Sequence, residues 1–377
     1  MDSITQAALG AVVGELVLGK KIGWRASAWG LLFGTLPDLD ILFLPFFDDA
    51  ARLHWHRGIS HSFFMMALAT LLFAKPLSLI HRKRGVMTKE AGWFVFLAWS
   101  THVLIDIFTS YGTQLLEPFS DQRFAFSNLF IIDPLFTLPL LVWCVVIFWR
   151  CVKVLSYKLR MLALKFDANP DGWVRFLWGT LETTVIRSSI AKKALCVSCL
   201  YVAFSFIMKL WAGDSISRQV AADIPGAKVV AVAPTPLNTL LWRGLIETEE
   251  GYFVKFWSPF DRGESSYDFF SKNHALVEPF EGEKMMEALK WSSRGHWVAR
   301  RGPEGKTVFI DMRFGEMRDR EYRKLLPMFQ WHLSYDDEGN FEAPSYRPKD
   351  LDVSGSLLLI GQRIFGDSKE WERMKAF

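Results

Sequence analysis

The chain has 377 residues, half of them hydrophobic, and a formal net charge of +4. Its basic clusters lie beside long apolar runs, where the positive-inside rule of membrane proteins places them, so the charge argues against a nucleic-acid partner. The four cysteines all precede Asp214, and the rest of the chain therefore depends on no disulfide.

Long apolar runs dominate the chain as far as Gly213. A helix that spans a bilayer needs roughly 20 apolar residues. Five to six segments approach this length, at residues 4–18, 26–47, 62–80, 91–110, 128–152 and 194–211. The first is short, but it lacks the basic start and the cleavage site of a signal peptide, so we expect it to be retained. The second is interrupted by Pro37-Asp38-Leu39-Asp40.

Glycines four residues apart occur in the first two segments, as Gly10 with Gly14 and Gly30 with Gly34. Small residues at this spacing let two helices approach closely in lipid. The sequence therefore predicts close packing of these segments.

The basic loops predict a topology for the membrane region. We expect residues 20–25, 82–89 and 153–193 to face the cytoplasm, because they hold most of the basic residues that flank the apolar segments. This orientation brings the histidine-rich motifs near the outer face of the membrane and exports everything after Asp214.

Beyond Asp214 the sequence is typical of a folded domain outside the membrane. Strand-like runs occur at residues 228–232, 239–246, 252–257, 297–301 and 307–312, and helix-like runs at 283–289 and 319–325. The predicted fold class is an α-helical polytopic membrane domain followed by a C-terminal α+β domain. The predicted boundaries are a membrane domain at 1–152, a cytoplasmic amphipathic connector at 153–193, a last transmembrane helix at 194–213 and an exported domain at 214–377.

Three polar motifs lie among these apolar segments: Pro37-Asp38-Leu39-Asp40, His56-Arg57-Gly58-Ile59-Ser60-His61 and the stretch from His102 to Asp106. Imidazole and carboxylate groups at membrane depth are costly and need partners. A metal ion would be a partner for all of them at once, and mixed His and Asp ligands suit zinc, manganese or iron. The candidate ligands are Asp38, Asp40, His56, His61, His102 and Asp106.

The spacing within each motif suits this role. His102 and Asp106 are four residues apart and share one face of a helix. His56 and His61 are too far apart for one helical face and suit a loop, in which Gly58 allows a sharp bend. Simpler interpretations exist for single motifs: His102 with Asp106 as a structural pair or proton relay, and Asp38 with Asp40 as helix caps.

These motifs together resemble a known family. The segments Met1-Asp2-Ser3-Ile4-Thr5-Gln6, Gly34 to Asp40, Trp55 to Ser62, Thr101 to Asp106 and Thr109 to Thr113 are similar to the YdjM-like family of bacterial inner-membrane proteins, proposed to be metal-dependent hydrolases. The resemblance extends to Ile131-Ile132-Asp133-Pro134 and Pro234-Thr235-Pro236-Leu237-Asn238, and it implies metal-ligand roles for the six candidate residues. Gln6 departs from the pattern, since many relatives have His there.

The resemblance and the motifs lead to one expected function. We expect a membrane-embedded hydrolase with a divalent metal ion, most simply zinc, that acts on a lipid or phosphoester near the outer face of the inner membrane. The phosphoester follows from a more distant similarity to zinc-dependent phospholipase C. Asp38 or Asp40 is the expected general base, and Arg57 is expected to neutralise a phosphate. The alternatives are a proton-coupled transporter and a scaffold with a structural metal.

Overall fold

The computed structural model describes residues 1–163, 184–263, 265–302, 305–318, 325–346, 352–367 and 369–372. About half of the predicted cytoplasmic connector, residues 164–183, and all but the last residue of the predicted helix at 319–325 lie outside these ranges.

The N-terminal region is a bundle of helices. Its α-helices are α1 (Ser3–Ile22), α2 (Trp24–Thr35), α3 (Asp49–Trp55), α4 (Phe63–Ile80), α5 (Thr88–Ile107), α6 (Pro134–Ala163) and α7 (Thr184–Asp223). Short 3₁₀ segments at Leu36–Phe46, Ile59–His61 and Arg82–Arg84 connect some of them. The α2 helix gives way to the first 3₁₀ segment at Leu36, next to Pro37, because proline removes a backbone donor that a continuing α-helix needs.

The predicted close contact between glycine pairs is confirmed in α1 and α2. A Cβ atom on Gly30 would lie 2.0 Å from the Gly10 carbonyl oxygen, and one on Gly14 would lie 2.1 Å from the Ala26 carbonyl oxygen. No side chain fits between these backbones, so the two helices are in direct backbone contact.

The outer surface of the bundle is apolar. Leu71 is 78% exposed, Phe148 70% and Leu210 73%. A water-soluble protein rarely exposes so much contiguous apolar surface, whereas lipid tails solvate it well. Three stretches of the described residues are long and apolar enough to cross a membrane: Trp24–Phe46, Phe63–Ile80 and Arg187–Asp223.

The other predicted spans are also helical, but they differ from these three in apolar length or in the polar residues that they carry. Within α6, the apolar stretch Pro134–Trp149 is shorter than a full span. Both α1 and α5 are packed among the other helices, with Glu15 buried in α1 and with His102 and Asp106 buried in α5. The polar groups that lower their hydropathy are thus turned toward protein. The number of segments that cross the membrane stays a prediction.

The C-terminal region contains antiparallel sheets with short helices. One sheet has the order β1 (Lys228–Pro234), β2 (Trp242–Glu247), β3 (Gly251–Trp257), β4 (Tyr267–Ser271). In the second sheet, β5 (Trp297–Arg301) pairs with β6 (Thr307–Asp311), and β6 with β9 (Gln330–Tyr335). The shorter strands are β7 (Glu316–Arg318), β8 (Leu325–Pro327), β10 (Phe341–Glu342) and β11 (Ser345–Tyr346).

Helices flank these sheets: the 3₁₀ segment His274–Phe280, α8 (Lys284–Ser292), α9 (Val353–Ile364) and α10 (Lys369–Glu372). All five predicted strands are present, with β5 at the predicted bounds. Strands β4 and β9 were not predicted. Leu325 begins β8 rather than ending the helix expected at 319–325.

Several contacts join the two regions. The His54 ring stacks on Trp291 with ring centroids 3.7 Å apart, and Lys284 donates to Asp48 at 2.6 Å. Near α7, the Tyr201 hydroxyl lies 3.1 Å from Thr239 Oγ1 and donates to Asp133 Oδ2 at 3.0 Å. Asp133 also accepts from the first backbone N–H groups of α6, so it is a capping residue. The C-terminal region therefore rests on the end of the bundle that carries α3.

The backbone contact between α1 and α2 leads to a first prediction. Gly30→Ala should destabilise the folded protein in detergent by about 2 kcal/mol or more, because its Cβ would overlap the Gly10 carbonyl and force the helices apart. Thermal unfolding followed by circular dichroism measures this. Gly92→Ala is the matched control, since a Cβ there would meet Ala74 Cβ at an ordinary 3.5 Å. Equal melting temperatures for the two variants would contradict the tight packing.

Candidate metal centre

Four buried or partly buried side chains from three elements converge inside the bundle. Asp38 comes from the 3₁₀ segment after α2, His61 from the 3₁₀ segment before α4, and His102 and Asp106 from α5. Each offers one ligand atom, and these four atoms all lie within 4.8 Å of one another. His102 and Asp106 occupy one face of α5, as predicted from their spacing. We call these four residues the central cluster.

The distances within the central cluster are short and nearly uniform. His61 Nε2 lies 3.1 Å from His102 Nε2, 3.3 Å from Asp38 Oδ1 and 3.2 Å from Asp106 Oδ2. His102 Nε2 lies 3.5 Å from Asp38 Oδ1 and 3.6 Å from Asp106 Oδ2. Ligands held about 2.0–2.1 Å from a tetrahedral ion lie about 3.3–3.4 Å from one another. These five of the six donor-atom separations are therefore close to those expected around a tetrahedral ion.

A hydrogen bond at Nδ1, on the side away from the central cluster, orients each imidazole ring. His102 Nδ1 lies 2.7 Å from the carbonyl oxygen of Gly34, which can only accept, so Nδ1 carries the proton. His61 Nδ1 lies 2.8 Å from Ser60 Oγ, and that hydroxyl donates to Asp40 Oδ2 at 3.2 Å. Because the hydroxyl proton goes to Asp40, His61 Nδ1 is the donor to Ser60. In the neutral rings, both Nε2 atoms then present lone pairs to the cluster.

Asp106 has further partners in the interior of the bundle. Gln6 Nε2 donates to Asp106 Oδ1 at 2.9 Å, and the amine of Met1 contacts the same oxygen. Asp106 Oδ2 has no hydrogen-bond partner among the described residues, and neither does Gln6 Oε1. Buried acceptors without donors are uncommon in proteins and here face a site where a cation would satisfy them.

Arg57 lies against the same carboxylate. Its Nη2 is 3.3 Å from Asp106 Oδ1, and its Nη1 donates to Thr109 Oγ1 at 3.0 Å. Its backbone has a φ of 56°, which directs its N–H to Asp40 Oδ2 at 3.0 Å. The guanidinium is therefore committed to Asp106 rather than free, and its expected role in neutralising a phosphate stays a prediction.

Asp40 and His56 lie beside the central cluster and not within it. Asp40 Oδ2 bonds Ser60 and the Arg57 backbone, while Asp40 Oδ1 lies 3.5 Å from His56 Nδ1. Neither Asp40 Oδ1 nor His56 Nδ1 has a hydrogen-bond partner among the described residues. The His56 side chain is 31% exposed, whereas the Asp40 side chain is 2% exposed, so the pair lies between the interior and the surface. Of the six predicted ligands, the structure thus unites four and sets two alongside.

Some residues of the site were not predicted. Ser60, which links Asp40 to His61, gives no sequence signal of its own beyond its place in the motif. Tyr111 lies over Arg57 at 5.2 Å and near His56, with ring centroids 5.4 Å apart. Gln6, noted in sequence as a departure from the family pattern, lies 3.3 Å from His102 Nε2. His54 lies outside the site, on Trp291.

The first 212 residues, which include the central cluster, match the family described as YdjM inner membrane protein. This match covers more than half of the chain. The protein belongs to the YdjM family. Membership shows that it is an inner membrane protein and confirms the resemblance stated from the motifs.

Among curated proteins, the chain is similar to an uncharacterized protein, YfhP, of Bacillus subtilis. The two are 28% identical over 141 residues, which are 36% of this chain and 42% of YfhP. The chain thus matches less than half the length of that relative. No solved structure matches the chain.

The burial of Arg57 against Asp106 leads to a second prediction. Arg57→Ala should lower the free energy of unfolding in detergent by about 3 kcal/mol, because it leaves the Asp106 carboxylate with less compensation in a buried site. Adding Asp106→Asn to this variant should recover most of the loss.

The matched control is Arg52→Ala, whose ion pair with Asp49 is exposed and should contribute less than about 1 kcal/mol. If the losses of Arg57→Ala and Asp106→Asn simply add in the double variant, the two residues are not coupled.

Proposed function

We propose that the protein is a metal-dependent hydrolase of the inner membrane. The observation that carries this proposal is the pair of imidazole Nε2 atoms 3.1 Å apart, each with its Nδ1 proton committed elsewhere. Two lone pairs that face each other in a buried site repel, and a shared cation between them removes the repulsion. Two carboxylates at the same place supply charge for a divalent ion.

The donors fit zinc well. Two imidazole nitrogens and two carboxylate oxygens at tetrahedral spacing are within its ordinary ligand set, and manganese or iron would accept the same donors. Because four protein donors would fill a tetrahedral sphere, a water molecule would have to join them as a fifth ligand, and an ion held there would polarise the scissile bond and acidify that water. Asp38 has the most exposed carboxylate of the four, at 20%, so its side of the cluster is where a substrate would approach.

Asp40 and His56 are the residues we assign to proton transfer. Asp40 Oδ1 and His56 Nδ1 are 3.5 Å apart and have no other hydrogen-bond partner among the described residues. His56 is partly exposed, and an imidazole can both accept and donate a proton, so it is suited to take a proton from water and give it to a leaving group. Asp40 would stabilise its charged form. This assigns general-base chemistry to Asp40 through His56, while Asp38 would be a ligand.

The substrate class follows from location. The cluster lies in the membrane region, next to a surface that lipid covers, so a lipid or another membrane phosphoester can reach it without leaving the bilayer. Ester and phosphoester bonds are the ones that a polarising cation with an adjacent base hydrolyses.

The third prediction is metal content. Purified protein should contain about one equivalent of a divalent transition metal, and His61→Ala or His102→Ala should lose it while the protein stays folded in detergent. Ser60→Ala should weaken metal affinity about 10–100-fold, because the hydroxyl orients the His61 ring. Elemental analysis by mass spectrometry measures all of these.

His54→Ala is the control, since its ring stacks on Trp291 outside the cluster. Asp40→Asn and His56→Ala should retain the metal and lose about 10²–10⁴-fold in hydrolysis of an ester or phosphoester panel. Two results would overturn the proposal. A metal-free protein in which Asp106→Asn abolishes proton-coupled transport and His56→Ala is mild would make it a transporter. A metal that is retained without hydrolysis of any substrate, and whose removal unfolds the protein, would make it a scaffold.

We also infer that the C-terminal domain is periplasmic. Lys21 donates to Gly85 at 2.7 Å and to Glu90 at 2.6 Å, and Arg187 donates to Gly19 at 3.1 Å. These contacts bring the basic loops to one end of the bundle, whereas the C-terminal region contacts Asp48 and His54 at the other. The positive-inside rule assigns the basic end to the cytoplasm.

The fourth prediction concerns this orientation. A green fluorescent protein that matures only in the cytoplasm, fused after Phe377, should be dark. The same reporter fused after Arg84, in the basic loop, should be bright. Whole-cell fluorescence normalised to the amount of fusion protein gives the comparison, and the reverse pattern would move the candidate centre to the cytoplasmic half of the membrane.

A further inference from the structure

Three arginines gather where the bundle meets the C-terminal region. Arg123 precedes α6, Arg294 follows α8, and Arg313 follows β6. The Arg123 guanidinium lies 4.3 Å from the ring centre of Trp291 and 4.9 Å from that of Tyr111. Gly112 joins the group, because a Cβ there would lie 2.3 Å from Arg294 Nη2 and 3.1 Å from Arg123 Cβ. We call Arg123, Arg294 and Arg313 the arginine cluster.

The arginine cluster has more positive charge than its neighbours neutralise. Asp311 pairs with Arg313 through two contacts, at 2.6 and 3.0 Å, and is the carboxylate that acts electrostatically on all three arginines. Arg294 is exposed at the surface, but partial desolvation together with repulsion from Arg313 and Arg123 lowers its pKa to about 10. Burial likewise lowers the pKa of Arg123. The cluster thus holds three guanidinium groups near one carboxylate, and this excess of positive charge favours an added anion.

Several donors of the cluster are also unused. Arg313 is 7% exposed and Arg123 8%, yet Arg313 Nη1 and both Nε and Nη1 of Arg123 have no hydrogen-bond partner among the described residues. A buried guanidinium normally saturates its five donors, and its planar fork suits phosphate oxygens. The unsatisfied donors point to an anionic ligand with several oxygens.

Arg313 also lines a cavity of about 640 Å³ between the bundle and the C-terminal region. This volume is typical of sites for small organic ligands. Most of its wall is apolar, with side chains such as Leu129, Phe130, Phe256, Phe314 and Met328. The other charged side chains in the wall are paired with each other, Arg243 with Glu316 and Arg52 with Asp49. A hydrocarbon chain fits such a wall, because its burial there replaces contact with water.

Tyr111 connects this cavity to the candidate metal centre. Thr109, Ser110 and Tyr111 all line the cavity. The Tyr111 ring lies near the guanidinium groups of both Arg57, at 5.2 Å, and Arg123, at 4.9 Å. Arg57 in turn bonds Thr109 and contacts Asp106 of the central cluster. Thr109 and Tyr111 in the lining, with Arg57 behind them, therefore connect the cavity to the centre.

We propose that the arginine cluster and this cavity bind an amphiphile that has a phosphate-bearing head and a long hydrocarbon chain. The head lies against Arg123, Arg294 and Arg313, and the chain lies in the apolar cavity. Treating this amphiphile as the substrate rests on the proposed hydrolase, whereas its binding does not.

The fifth prediction tests binding by the full-length protein in a neutral detergent. Radiolabelled hexadecyl phosphate should bind to the wild type more than about tenfold tighter than hexadecanol, which lacks the anion, and than inorganic phosphate, which lacks the chain. Each of Arg123→Gln and Arg294→Gln should weaken hexadecyl phosphate binding about tenfold. Arg301→Gln is the control of equal charge, since Arg301 is an exposed residue of β5.

A second pair of variants tests the cavity. Gly315 lines it, and a Cβ there would meet nothing within 4 Å. Gly315→Trp should fill the cavity and weaken hexadecyl phosphate binding about tenfold or more, while Gly315→Ala should leave binding unchanged. Inorganic phosphate binding should be the same in both variants and the wild type.

Three outcomes would overturn the proposal. Equal affinity for hexadecanol and hexadecyl phosphate would mean that the cavity has no anion site. Equal affinity for inorganic phosphate would mean a free-phosphate site without a chain site. Binding that all of the arginine variants retain would place the ligand elsewhere. Binding by the metal-free His61→Ala variant separates this test from the hydrolase, because hexadecyl phosphate should still bind when metal and activity are absent.

Discussion

The candidate centre depends on the hydrogen bond from His102 Nδ1 to the carbonyl oxygen of Gly34. That carbonyl belongs to the last turn of α2, where backbone acceptors lose their helical partners, and Pro37 follows in a 3₁₀ segment. Gly34 also packs directly on α1, since a Cβ there would lie 2.9 Å from the Gln6 carbonyl oxygen. The glycines therefore bring α2 to the depth at which its end can orient a histidine of α5.

Charged groups are costly to bury in the interior of this bundle, and they are stabilised there by contacts with one another. Asp106 is contacted by Arg57, by Gln6 and by the Met1 amine, and it faces both histidines. Carboxylates in a medium that excludes water need such partners. Even so, Asp106 Oδ2 and Asp40 Oδ1 have no hydrogen-bond donor among the described residues. Of these two oxygens, Asp106 Oδ2 faces the histidines of the central cluster, and an unpaired acceptor at that place is the property expected of a site that binds a cation.

The sequence predicted much of this because its signals are local. Apolar runs, glycine pairs and the four-residue spacing of His102 and Asp106 each depend on one helix, and the strands of the C-terminal region follow short runs of β-forming residues. The sequence could not show that Asp38 belongs to the central cluster while Asp40 lies beside it. Two residues apart in a 3₁₀ segment, they point to different partners, and the choice is made by Ser60 and Arg57 from another segment. The arginine cluster is likewise invisible in sequence, because its members are 19 to 190 residues apart in the chain and meet only through tertiary packing.

The same packing explains why both regions of the chain are needed around one site. The bundle alone supplies the central cluster, but Arg294 and Arg313 come from the C-terminal region. Tyr111 lies between Arg57 and Arg123. Phe314 of the C-terminal region packs against Tyr111, with ring centroids 6.4 Å apart. Aromatic faces attract cations, so Tyr111 holds two guanidinium groups that would otherwise repel each other. A phosphate at the arginine cluster would relieve the remaining repulsion on one side of that ring, and a divalent ion at the central cluster would relieve the unpaired acceptors on the other. The two regions therefore meet at side chains that a bound anion would stabilise on one side and a bound cation on the other.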